Sequence, residues 1–457
     1  MTLTSVASDL LVAIYPNENL MRNAIALTLA FWTATALAGD FENDKLDNWH
    51  QWRGPLATGV APNGDPPTTW DYKTNIKWKA ALAGKGSASP IVWGDRVVVL
   101  TAIDTGKKAD PAALPKVDPK FEKKTDAPGN YYQFVVMCFD RATGKLLWKK
   151  VAAEKVPHEG HHETHSYAAG SPTTDGQFLY ASFGSFGIYC YDLNGNLKWS
   201  RDLGKMNTRL GWGEAVTPTV HGEHLLINWD QEADSAVYCM NAKTGETLWK
   251  TPREEKTSWN TPLLVEHKGM TQVILNGTNR VRSYDMLTGK VIWECAGMTI
   301  NAIPSAVARD GIAYIMSGYR GAAAVAVPLD STGELKVPIW RYGKGTPYVP
   351  SPLLLGNRLW FTQANQPLLT TLDIKTGKPV IEQERLPNVK SFYGSPVAAA
   401  GRIYLTDRDG TTLVLKDGDS LEVLATNKLN DPVDASPAIV GKQLFVRGEK
   451  YLYCIEK

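Results

Sequence analysis

Short apolar runs and polar, glycine-bearing turns alternate along nearly the whole chain, and the alternation returns at a fixed period. Eight times a proline preceded by Ser, Thr or Ile opens an apolar run: Pro90, Pro172, Pro218, Pro262, Pro304, Pro352, Pro396 and Pro437. Neighbouring prolines lie 41 to 48 residues apart, except Pro90 and Pro172, which are separated by 82. A period of roughly 40–50 residues signals a repeat architecture whose units must lean on one another to bury their faces. In the repeat that begins at Thr217, the runs Thr217–Val220, His224–Asn228, Ala236–Met240 and Thr247–Lys250 are rich in β-branched and aromatic residues. Tight turns divide them, so each repeat predicts four antiparallel strands.

The turn before the fourth strand recurs in one spelling: Asp140–Trp148 (DRATGKLLW), Asn241–Trp249 (NAKTGETLW) and Asp285–Trp293 (DMLTGKVIW). Looser copies run Asp192–Trp199 and Asp330–Trp340, and one without Trp begins at Asp373. Asp or Asn caps the turn through its side chain, Gly takes the positive φ, and Trp presents a flat apolar face to the next repeat. The last repeat stops one strand short at Cys454, while Asp71–Trp78 carries the turn-and-Trp spelling with no strands before it. Asn75 stands there in place of Gly and suits the left-handed region next best. The pattern predicts an all-β, eight-bladed β-propeller of four-stranded antiparallel blades over residues 70–457, its ring closed by the N-terminal strand.

Composition adds limits. A hydrophobic fraction of 43% and a charged fraction of 21% are ordinary for a globular chain, and a net charge of +2 gives no case for a nucleic-acid partner. From Met21 a short basic start, an uncharged stretch and Ala36-Leu37-Ala38 spell a secretory signal peptide. Residues 1–38 are therefore expected to be leader and signal peptide, residues 39–69 an N-terminal extension, and the protein periplasmic or secreted without a stable membrane anchor. Cys138, Cys190, Cys239 and Cys454 fall two residues before the turn residue of their repeats, where others carry Ser283 and Thr371. A place that wants a small side chain, repeated on separate blades, predicts free buried thiols rather than disulfides.

Strand alternation puts two unusual segments on the face that carries the blade-to-blade connections. The insertion Asp104–Tyr131, with six Lys and four Pro, reads as a solvated mobile loop. Beside it, Val156–Tyr167 holds His158, His161, His162 and His165 with Glu159 and Glu163 between them. Imidazoles near carboxylates suit Zn²⁺ or Cu²⁺, although the H-x2-H-H-x2-H spacing matches no closed structural site and serves equally as a polar loop. The mouth of the central channel is expected to gather Trp212, Glu214, Trp259, Asn260 and Asn301, with Trp229–Glu232, Tyr319-Arg320, Asn365-Gln366 and Arg408-Asp409.

At the Asp-x-x-Thr-Gly-Lys-x-x-Trp turn the chain resembles the quinoprotein (pyrroloquinoline quinone, PQQ) propeller repeat family, over nearly all of residues 70–457. The opening Trp49-His50-Gln51-Trp52-Arg53-Gly54-Pro55 is similar to that of exported, planctomycete-type members. Two branches share the repeat: dehydrogenases that oxidise alcohols or sugars with PQQ and Ca²⁺, and a propeller lipoprotein of the outer-membrane β-barrel assembly machine, a non-catalytic scaffold. The resemblance implies a Ca²⁺–PQQ role for Glu214 and Asn260, with Asn301 beside them, and Trp212, Trp259, Arg320 and Arg408 at the channel mouth are expected to complete a cofactor-binding site. Against the dehydrogenases, the vicinal cysteine pair is missing and Asn301 stands where the base Asp is expected; an amide cannot accept the alcohol proton. Against the lipoprotein, the lipidated Cys is missing. The resulting expectation is an exported, non-catalytic scaffold binding a protein or small molecule on the channel face. The alternative is a PQQ- or metal-dependent oxidoreductase of alcohols or sugars.

Overall fold

A computed structural model describes residues 41–114, 119–363 and 365–457. The expected leader lies outside them.

The repeat pattern folds as it reads. In the third blade, strands Thr219–His221, His224–Trp229, Ser235–Asn241 and Thr247–Arg253 form one antiparallel sheet in chain order. Seven sheets have four strands, and the fourth blade has a fifth, because Gly333–Leu335 pairs in parallel with its outer strand Val291–Ala296. The innermost strand of the last blade, Ala438–Val440, lies against that of the first, Ile91–Trp93. The last blade takes its outer strand from the start of the ring: Ile76–Ala81 pairs antiparallel with Tyr451–Ile455, with Trp78 opposite Cys454. The architecture is an eight-bladed propeller.

The turn spelling is explained by how one blade holds the next. Each Trp lies across its own sheet from the small residue: Trp148 opposite Cys138, Trp199 opposite Cys190, Trp249 opposite Cys239 and Trp293 opposite Ser283. A larger side chain there would crowd the indole, and all five cysteines are free and buried. The indole then reaches the following blade. Trp78 donates to Arg141 O, Trp148 to Leu193 O, Trp199 to Ala242 O, Trp249 to Met286 O and Trp340 to Ile374 O, at 2.8–3.1 Å. Its ring lies on the turn glycine. A Cβ on Gly144 would meet Trp78 at 2.5 Å, and φ is +72° there, so two demands converge on glycine. Asn75, at φ +62°, fills the same role in the first copy. Where the fifth blade departs from the spelling, the contact is relayed: Trp293 donates to Gln272 Oε1, and Gln272 Nε2 donates to Leu329 O.

The hydroxyl before each proline has a second use. Proline has no N–H, so the preceding residue's N–H is the last donor before the inner strand, and it is spent on the neighbouring blade. Ser89 N donates to Ser171 Oγ and Ser171 N to Thr217 Oγ1. Thr261 N donates to Ser305 Oγ, Ser305 N to Ser351 Oγ, and Ser351 N to Ser395 Oγ. Ser395 N donates to Ser436 Oγ, and Ser436 N returns to Ser89 Oγ, every link being 2.8–3.0 Å. In the fifth blade, where Ile303 precedes Pro304, Ser305 supplies the hydroxyl instead. A belt of hydroxyls thus spans seven of the eight blade junctions, the exception among the described residues being Thr217 to Thr261.

Residues 49–61 stopper the channel on the other side of this belt. Trp49, fully buried, bridges to Val92; Thr58 O accepts from Leu354 N, and Ala398 N donates to Gly59 O. Arg53 is buried without a carboxylate and donates to Pro352 O and Pro396 O, and its guanidinium is pushed down to about 9 by burial. Trp52 Nε1 reaches Ser436 Oγ at 3.2 Å.

The insertion Asp104–Tyr131 differs from its expectation as a free, solvated loop. Its flanking strands run on as a long hairpin, Arg96–Lys108 with Asn130–Asp140, and its distal part docks. Lys124 N donates to Leu210 O, and Thr125 Oγ1 bonds Gly211 O. The backbone bonds and the Lys123 ion pair described below hold in place a segment whose composition alone offers no core.

Candidate functional site

Above the belt the channel opens into a cup of about 350 Å³. Its floor is Trp52 with the hydroxyls of Ser89, Ser171, Thr217, Thr261 and Ser436; its wall is Trp212, Trp259, Tyr319, Tyr348 and Tyr393. Trp259 is fixed by an indole bond to Gly213 O at 2.8 Å, and Tyr319 and Tyr348 stack with centroids 4.7 Å apart. The residue three before each proline faces the cup in seven repeats: Ser87, Ala169, Ala215, Trp259, Val349, Tyr393 and Asp434. That fixed offset is a signal the sequence carries, and it would have placed Tyr393 and Asp434 at the cup; Tyr348, one residue off the offset, and Trp52, before the first repeat, carry no such signal.

The histidine-rich segment arches over this cup. His162 and His165 line it, and Thr164 accepts a 3.2 Å bond from the Tyr393 hydroxyl, 229 residues away in sequence. Thr164 Oγ1 is itself 2.8 Å from His162 Nδ1, and His162 meets Trp212 edge to face. His165 accepts from Ser166 N at 2.7 Å; burial, reinforced by His161 and His162, pushes it down to about 4, so it is neutral at ordinary pH. His161 turns away to pack edge-on against Tyr167.

His158 goes elsewhere again. With Glu159 and Glu214 it forms the one group of three potential ligand side chains among the described residues, around a void of about 20 Å³. This group is already satisfied by the protein. His158 Nε2 is 2.7 Å from Met206 O, Thr208 N donates to Glu159 Oε1, and Ser185 N donates to Glu214 Oε2. Lys123 Nζ, delivered by the docked insertion, sits 2.5 Å from Glu159 Oε2, where a cation would otherwise be called for. Burial pushes the Glu214 carboxyl up to about 8, with Glu159 adding to the rise, so Glu214 is protonated at neutral pH.

The other expected site residues are dispersed. Trp212, Trp259, Tyr319 and Asn365 line the cup. Arg320 lies outside it, over the Tyr319 ring at 5.4 Å. Arg408 sits 4.1 Å over Tyr393 and holds Asp434 at 2.7 Å. Asp230 pairs with Arg253 in the interior, both side chains fully buried, and Glu232 caps Thr257. Asn260 is spent internally: its amide donates to Ser258 Oγ and Asn276 O, and its oxygen accepts from Asn276 N. Asn301 is 2% exposed, with its amide against the Tyr348 hydroxyl. A Ca²⁺–PQQ pair therefore does not fit these residues. The Asn260 oxygen is taken by Asn276 N, Glu214 faces the separate small void and accepts from Ser185 N, and the sole carboxylate lining the cup, Asp434, is bound by Arg408.

Two matches to one family model, described as outer membrane protein assembly factor BamB, cover residues 133–335 and 278–457. No curated protein matches the chain in sequence. Among solved structures, BamB from Moraxella catarrhalis is similar at 13% identity and a TM-score of 0.50, covering 79% of this chain and 98% of that one. A europium-containing methanol dehydrogenase (12% identity, TM-score 0.48, covering 89% and 91%) is also similar. So is a quinohemoprotein alcohol dehydrogenase from Comamonas testosteroni (12%, 0.48, covering 93% and 84%). At such identities the likeness is one of fold.

Proposed function

The chain belongs to the family described as outer membrane protein assembly factor BamB, and from that premise we propose that it is an exported, non-catalytic binding propeller that takes its ligand in the aromatic cup. The cup is the observation that carries this reading. It is concave, stoppered below, apolar on its walls, and ringed by a few fixed polar groups, as small-molecule and side-chain sites are. Its single carboxylate is engaged with Arg408, and its histidines are bonded into the roof, so no group stands ready as a base towards a bound alcohol. Export rests on the leader-like sequence at residues 21–38, and among the described residues no helix is long and apolar enough to cross a membrane.

The test is a dye-linked oxidation assay with added PQQ and Ca²⁺ across alcohols and sugars, run beside tryptophan-fluorescence titrations. The expected result is no turnover. PQQ-dependent turnover that is lost in Glu214→Ala and Asn260→Ala would replace this reading with an oxidoreductase.

A further inference from the structure

The aromatic cup offers a ligand no net charge. Asp434 is the one charged side chain that lines it, and Arg408, outside the lining, holds that carboxylate at 2.7 Å. His165 is neutral at ordinary pH. What the lining has left over is hydrogen-bond donors. Ser89, Ser171 and Thr217 each accept one backbone N–H through the side-chain oxygen, and among the described residues no protein acceptor takes their own O–H. In the roof, Tyr393 donates to Thr164 Oγ1, and Thr164 N donates to His162 Nδ1 at 3.3 Å. The His162 ring therefore carries its proton on Nε2, which likewise has no protein acceptor among the described residues. Between floor and roof the lining holds Trp52, Trp212, Trp259, Tyr319, Tyr348 and Tyr393, and each of these rings keeps surface that the protein itself leaves uncovered.

Resting on the binding reading above, we propose that the cup binds a neutral sugar: an uncharged, polyhydroxylated six-membered ring, free or at the end of a glycan chain. Such a ring presents C–H faces to the aromatic wall. Its hydroxyl oxygens accept from the floor O–H groups and from His162, and its own O–H groups have Asn365 and Asp434 as acceptors on the lining. The competing ligand classes each leave the lining mismatched. An anion finds no cationic side chain there to replace its hydration. A cation suits aromatic rings, but it meets donor hydrogens at floor and roof, and the one carboxylate is already neutralised by Arg408. A flat apolar ring covers the wall yet strips water from the floor hydroxyls and returns no bond. A volume of about 350 Å³ with Trp52 across the floor admits a ring or two and no threaded chain, so a glycan enters by its end.

The test uses the full folded protein, with fluorescence titration and calorimetry against glucose, galactose, maltotriose, cellotriose, glucuronate, choline and 1-naphthol. The best of the neutral sugars is expected to bind about tenfold or more tighter than glucuronate, choline and 1-naphthol. A trisaccharide tighter than glucose assigns a chain end; equal affinities assign the free sugar. Trp212→Ala is expected to weaken the best sugar by about tenfold or more at an unchanged melting temperature, since a stacking surface is lost. If that variant melts lower than the parent, Tyr319→Ala is read in its place. Binding of no neutral sugar overturns the inference, as does glucuronate, choline or 1-naphthol binding as tightly as the best sugar. So does a folded variant that binds this sugar as well as the parent. Oxidation of the bound sugar only with added PQQ would replace the non-catalytic reading and leave the neutral-sugar site standing, whereas absence of both binding and turnover overturns this inference alone.

Discussion

Ser351→Ala should destabilise the propeller more than Ser89→Ala, although both remove one hydroxyl from the same belt. Ser351 is 1% exposed and lies away from the cup, and its Oγ is the acceptor for Ser305 N at 2.8 Å. With alanine there, a buried N–H between two blades has no replacement acceptor, which costs about 1–3 kcal/mol. Ser89 Oγ accepts from Ser436 N at 2.9 Å, but Ser89 faces the cup, so water can take over the lost acceptor. The loss there falls to the net worth of one exchanged bond, about 0.5–1.5 kcal/mol. Because 1 kcal/mol moves the melting point of a large domain by roughly 2–4 °C or less, calorimetry should find Ser351→Ala lowered by several degrees and Ser89→Ala by about half as much. Ser89→Thr should match the parent, as Thr217 already fills one link of the belt. A Ser89→Ala loss equal to or larger than that of Ser351→Ala, or a Ser351→Ala variant as stable as the parent, would refute the belt as a structural element.

Other expectations concern charge and closure. The Glu214 carboxyl ionises at about 8 when folded and near 4.5 when unfolded. The folded state thus keeps a proton the unfolded state has lost, and stability falls as pH rises between those values and levels off above them. Glu214→Gln should remove that slope and gain up to a few kcal/mol over the parent at pH 8.5; parallel stability–pH curves for the two proteins would exclude the buried acid. Asp140 is held below the usual carboxylate range by its bonds from Thr143, side chain and backbone, so its contribution is present above about pH 4 and is lost as pH falls through its lowered value. Asp140→Asn should be less stable than the parent at pH 7 and converge with it near pH 2, as chemical denaturation would show. Deleting residues 70–82 removes the strand paired with Tyr451–Ile455 and the Trp78–Arg141 contact, leaving the Tyr451–Ile455 edge open. Near-UV dichroism should collapse, and an unaltered thermal transition would contradict the strand's role.

Much of the fold was readable because its determinants repeat within about 45 residues. Turn Asp, turn Gly, Trp and the small residue opposite Trp act on one sheet or on the next, so each copy reports the same local physics. The serine or threonine before proline was equally regular, yet its use is invisible in one repeat, because its acceptor belongs to the neighbouring blade. The candidate site divides along the same line. Trp212 and Trp259 could be placed at the channel mouth from the repeat phase, whereas Glu214 and Asn260, in the same phase, turn to partners inside the protein.

The sequence by itself determined a ring of four-stranded sheets, the positions of their turns, and the burial of unpaired thiols, because strand period and turn chemistry are set by neighbours in the chain. Only the tertiary structure decided what the irregular segments do. Four histidines within eight residues share no common target: His158 reaches Met206 and the glutamates, His161 packs on Tyr167, and His162 and His165 roof the cup. The lysine-rich insertion is tied down by Lys123, and residues 49–61 stopper the channel. In these segments the backbone follows no period, so neither side-chain direction nor partner can be read from spacing. Each is fixed by a contact such as Tyr393 with Thr164, which exists only once the ring has brought distant blades together.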